Sequence, residues 1–256
     1  IPVYGVYHKW FGVHWLLYIL ADLCYPPDDS SLIPSRDFEL EWLFSDHHWM
    51  RKPTINGRKR FCASMEGNAL YSLLHLGLDD GRCSQLADRL IKYQWDDGGW
   101  NCDKKPKAIN SSYNESLIPL RSLNLYAIKI GDKQVKNTID RAAEVFLKRD
   151  LYKNLHTGAV IRPKWLKLSY PPYWHYDILS SMKVLAELNK INDIRCKDAL
   201  DILESKKLDD GGFPAEVRYY LGSAKSNISP INWGGVNISM ACWRATIDAL
   251  YVLKKA

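Results

Sequence analysis

The chain has 256 residues, 46% of them apolar and 25% charged, the balance of a folded soluble protein. The formal net charge of +6 is spread among acids, and the one dense basic cluster, Arg58-Lys59-Arg60 with Lys52 nearby, reads as a solvated loop, so no nucleic-acid partner is expected. No apolar run approaches the ~20 residues of a membrane span, and six cysteines without paired spacing read as reduced thiols in a cytoplasmic protein.

The opening Ile1-Pro2 lacks Met and carries no signal pattern, which reads as a trimmed N-terminus. From there the periodicity is helical almost throughout. Helices are expected near Gly12 to Cys24, Phe38 to Phe44, Ser64 to Leu76 and Cys83 to Tyr93. Others follow near Ser112 to Ile130, Gln134 to Lys148, Tyr176 to Leu188, Arg195 to Leu203 and Ser239 to Leu253, with a long loop across Tyr152 to Lys167. The helices alternate in kind. "NALYSLLHLGL" and "DILSSMKVLAEL" are apolar all round and must be buried, whereas "CSQLADRLIKYQ" carries a charged stripe and faces water. Pro119 interrupts one apolar helix, where it removes a backbone hydrogen bond.

One corner recurs. Gln94-Trp95-Asp96-Asp97-Gly98-Gly99-Trp100 returns as Lys207-Leu208-Asp209-Asp210-Gly211-Gly212-Phe213, each between a charged helix and an apolar one. The glycines read as structural, because a turn that ends a helix needs left-handed backbone wherever it repeats.

These corners resemble the Gln-x-x-Asp-Gly-Gly-aromatic motif of the QW-repeat superfamily, which contains squalene and oxidosqualene cyclases and the β-subunits of protein prenyltransferases. The first copy fits at every fixed position and the second has Lys207 in place of Gln. The resemblance implies an all-α fold, an α/α toroid in which apolar helices surround a central cavity, with residues 1–256 as a single domain. Five apolar helices are expected where the family has six, so the ring is incomplete or completed by residues before Ile1. The family's signature chemistry is missing: there is no Asp-x-Asp-Asp, Asp79-Asp80-Gly81-Arg82-Cys83 fails Asp-Asp-x-x-Asp, and Asn110-Ser111-Ser112-Tyr113 stands where prenyltransferases hold zinc.

Candidate chemistry therefore sits at the starts of the apolar helices, where free amides favour anions. Asp177 reads as a helix cap or as a general acid with His175 as its relay, flanked by Trp174 and Tyr176. Glu115 follows Tyr113 and Asn114, and reads as half of a capping box with Ser111 or Ser112, or as a cavity-facing carboxylate. Cys102 and Asp103 follow the first corner, but no second Cys or His lies at ligand spacing, so neither metal nor cofactor is expected. His14, Glu66 and Trp243 are further cavity candidates. Such a cavity, faced with aromatic rings, suits carbocations. The reading is a cyclase-like or prenyl-transferring enzyme acting on a hydrophobic, isoprenoid small molecule. A carbohydrate-active toroid using paired carboxylates and a non-catalytic binding toroid are the alternatives. The sequence leaves the oligomeric state open.

Overall fold

The computed structural model describes residues 5–131, 135–219, 231 and 233–256. It is mostly helical. The chain divides into two compact units, residues 1–142 and 143–256.

In the first unit α1 (Val13–Asp22), α2 (Ile33–Phe44) and the short α3 (Asp46–Met50) lead to a two-stranded hairpin of β1 (Thr54–Ile55) and β2 (Arg58–Lys59). The core lies where α4 (Ala63–His75) packs between α1 and α6 (Tyr113–Ile130). Every residue of α4 from Ala63 to Leu74 is buried, as an all-round apolar helix requires. Gly67 makes the crossing with α6 possible. A Cβ there would stand 3.0 Å from the backbone nitrogen of Pro119 and 3.1 Å from Ile118. The two residues work as a pair, since Pro119 has no amide proton and Gly67 has no side chain. Between them α5 (Arg82–Lys92) buries Cys83, Leu86, Ala87 and Leu90, a stripe at helical spacing, and turns its charges outward. The Arg58–Arg60 cluster is not the solvated loop its composition suggests. Arg60 is 1% exposed, lies 4.4 Å over the Trp95 ring and donates to Ala108 O.

The unit boundary falls within α7 (Val135–Leu147); Gln134, its expected start, lies outside the described residues. In the second unit α8 (Ile178–Glu187) is the buried helix, packed on α9 (Lys197–Glu204) and α10 (Trp243–Lys255). The expected helix from Ser239 is shorter at its start. Residues Asn237–Ala241 form β4, antiparallel to β3 (Pro214–Ala215), because the segment after the second corner offers backbone partners and the Ile238/Met240 alternation suits a strand. The Cys242 amide also donates to Phe213 O, and α10 begins one residue later.

The two corners close alike. Trp95 N–H donates to Gly99 O at 2.8 Å and Gly98 N–H to Trp95 O; Leu208 N–H donates to Gly212 O at 2.9 Å and Gly211 N–H to Leu208 O. Gly98 and Gly211 sit at φ 101° and 84°. Trp100 N–H then donates to the Ser116 hydroxyl of α6, and Phe213 N–H to the Thr246 hydroxyl of α10. Each corner thus pins an aromatic, fully buried, to the helix that follows.

Candidate functional site

The first unit gathers its polar groups where α4 and α6 begin. Glu115 stands in the first turn of α6, is buried, and accepts the Ser64 N–H of α4 on Oε2 at 3.0 Å. The α6 side chain thereby satisfies a free amide of its neighbour's N-terminus. On the other side, Glu115 Oε1 lies 3.4 Å from the Cys102 Sγ. Cys62, the residue preceding α4, completes a group whose ligand atoms all lie within 4.8 Å of one another. The neighbouring Cys102 thiol lowers the Cys62 value, while Cys62 and then burial raise that of Cys102 beyond the ordinary thiol range. Burial raises Glu115.

Glu66, one turn into α4, is pushed up to about 7 by burial, with Arg89 Nη1 3.5 Å away as the opposing charge. His14 of α1 is paired through Nδ1 with the buried Glu39 at 2.7 Å. Tyr7 lies over this corner, its ring 5.3 Å from His14 and 5.2 Å from Trp15. Burial first, then the nearby Cys62 and Glu115, raises its phenol beyond its ordinary value. Tyr113 is buried and Asn114 half-buried at the start of α6. Asp103 accepts from Lys105 N–H in a surface turn.

In the second unit Asp177 caps α8. Its Oδ1 accepts the amide and hydroxyl of Ser180, each at 2.7 Å, and its Oδ2 accepts the amide and hydroxyl of Ser169. Burial still wins over these four donors and raises the carboxyl to about 6. His175 lies outside this network: its ring stacks between Trp174 and Tyr219, with centroids 4.4 Å and 3.9 Å away, and its Nδ1 stands 3.2 Å from Pro172 O. Tyr176 packs in the core on Phe146 and Trp165, with its hydroxyl donating to Leu151 O.

Close to Asp177 in the chain, Tyr170 sets its ring against Trp233 and Trp243 at 5.5 Å and 6.5 Å. These two tryptophans, with Val236 and Met240, line a pocket of about 670 Å³ that also holds Arg218. Trp243 is 60% exposed, so the start of α10 offers this indole to the pocket. Sequence reasoning reached Asp177, Glu115, Cys102 and Trp243 but not Cys62, Ser169 or Trp233. The only signal for Cys62 was its place just before an apolar helix.

No protein family and no curated protein matches the chain. Among solved structures, the chain is similar to a variant of the type II terpene cyclase MstE from Scytonema holding its product, merosterolic acid A. The identity is 15%, covering 95% of this chain and 86% of that one, with a TM-score of 0.28. A second variant of that cyclase, holding its substrate geranylgeranyl dihydroxybenzoate, is 14% identical over 95% of this chain and 87% of its own, also at 0.28.

Proposed function

We propose that this chain is a terpene cyclase-like or prenyltransferase-like α/α-toroid enzyme of the cytoplasm, built from the repeated corner as a single domain. It acts on a hydrophobic, isoprenoid small molecule by acid-initiated chemistry. The observation that carries this reading is the pocket lined by Trp233, Trp243, Val236 and Met240, of a size that takes a small apolar ligand. Its indole faces stabilise positive charge on carbon. Asp177 is the acid: it holds Ser169, the neighbour of Tyr170, whose ring meets both tryptophans. A carboxyl near 6 keeps a protonated fraction under mildly acidic conditions. His175 has no assigned step; its ring stacks on Trp174 and Tyr219.

The test is incubation with farnesyl and geranylgeranyl substrates, followed by mass spectrometry. Cyclisation gives products of unchanged mass and altered retention, and Asp177→Asn should remove most of the turnover while leaving ligand binding intact. A second reading, a binding toroid without turnover, is favoured by the four donors that hold Asp177 as a cap. Binding without product in both proteins would select it, and absence of binding would overturn both.

A further inference from the structure

The Cys62, Cys102 and Glu115 group takes no part in the pocket reading above, and it has a chemistry of its own. We propose that these three side chains form a site for one thiophilic divalent cation of the zinc class, with a fourth position open to an exogenous ligand.

Distance supports it first. A tetrahedral zinc ion with bonds near 2.3 Å to sulfur and 2.1 Å to oxygen holds a sulfur and an oxygen ligand about 3.6 Å apart. Cys102 Sγ and Glu115 Oε1 stand at 3.4 Å, and the whole triad lies within 4.8 Å. Small side-chain rotations close such a group around an ion. The donors come from separate elements: the residue before α4, the loop after the first corner and the first turn of α6. They converge through the fold, so no sequence spacing announces them.

Support from the neighbourhood is the second argument. Ser64 N–H fixes Glu115 through Oε2, which leaves Oε1 directed to the cysteines, as an outer-shell donor orients a metal-binding carboxylate. Glu115 is buried while Cys62 and Cys102 are half-buried, so an ion can enter from the thiol side. The third argument is charge. A carboxylate beside two sulfurs gathers negative charge as the thiols ionise, and a divalent cation converts that repulsion into coordination. Among the described residues no fourth Cys, His, Asp or Glu joins the triad, which leaves one tetrahedral position for water or a ligand atom. Binding exchanges the thiol protons for the metal and releases them to solvent, with no change in oxidation state.

The experiment is a Co²⁺ titration of the full chain, fully reduced and freed of metal, followed by displacement with Zn²⁺. One equivalent should give the intense visible bands of tetrahedral cobalt and a thiolate charge-transfer band in the near-ultraviolet, both erased by Zn²⁺. Cys62→Ser and Cys102→Ser should each weaken binding at least tenfold and reduce the charge-transfer band, Glu115→Gln should weaken binding, and Cys24→Ser should change nothing. X-ray absorption of the zinc-loaded unaltered protein should count two sulfur ligands, a measurement that stands even if a variant fails to fold. The proposal is overturned by a weak octahedral spectrum, by fewer than two sulfurs, or by full binding in a folded variant lacking both cysteines. A folded, reduced protein that takes up no metal overturns it too. None of these outcomes depends on the Asp177 reading, which is tested by turnover.

Discussion

Asp177 joins two demands that pull its proton in opposite directions. Four donors favour the carboxylate, and complete burial favours the acid; burial prevails, raising the folded value from 3.8 to about 6. Because the folded value is raised, the bound proton stabilises the native chain. That contribution is complete below about pH 4, the unfolded value, and is lost as pH climbs through about 6. Unfolding free energies of the unaltered protein and of Asp177→Asn, compared between pH 4 and 8, should therefore diverge with rising pH. The unaltered protein should lose on the order of 2 kcal/mol relative to the variant. A difference that stays constant across that range would mean that water reaches the carboxyl. The low-pH offset reports a different quantity, the Ser169 amide left facing an Asn amide group. Gly98 poses a simpler question at the same scale. At φ 101° an alanine is strained, so Gly98→Ala should cost more than ~1 kcal/mol in denaturant unfolding.

At the scale of elements, the crossing of α4 and α6 brings Gly67 against the Pro119 backbone. Gly67→Val should destabilise by about 1–3 kcal/mol, because the nearest obstacle is the Pro119 backbone and cannot rotate aside. Urea titration checks it; an unchanged midpoint would show that the helices can separate at little cost. The helices themselves were legible from sequence because their apolar positions repeat with the helical period, and α4, α5, α6 and α8 start within two residues of expectation. Two things were not legible. The last three residues of β4 fall inside the helix expected from Ser239, because the alternation of Ile238 and Met240 is too short to separate a strand from a helix start. Cys62 carries no further signal in the sequence because its partners, Cys102 and Glu115, are distant in the chain and come to it only through the fold. Asp177, in contrast, was visible as a cap from its own neighbours, and Ser180, the amide it receives, follows within the same helical turn.

For the whole molecule the informative feature is that each unit contains one corner of the same construction. A backbone amide of a buried aromatic reaches a hydroxyl on the next helix, Ser116 in one case and Thr246 in the other. Ser116→Ala and Thr246→Val should accordingly cost similar amounts, about 1–2 kcal/mol each, by leaving a shielded amide unpaired. Trp100→Ala and Phe213→Ala should each cost about 3–5 kcal/mol. Calorimetry of the four variants decides it, and a large cost in one unit beside none in the other would make the likeness of the corners superficial.

The Arg60–Trp95 stack has a further consequence, for ionic strength. Arg60 is sealed over an indole and bonded to a backbone carbonyl, so mobile counter-ions have little access to it. The Arg36–Asp37–Arg82–Asp80 cluster is part-exposed and lies within reach of the salt atmosphere. Added salt should weaken the second and leave the first almost untouched. The hairpin of β1 and β2 would then remain anchored in brine while the junction of α2 with the start of α5 loosens.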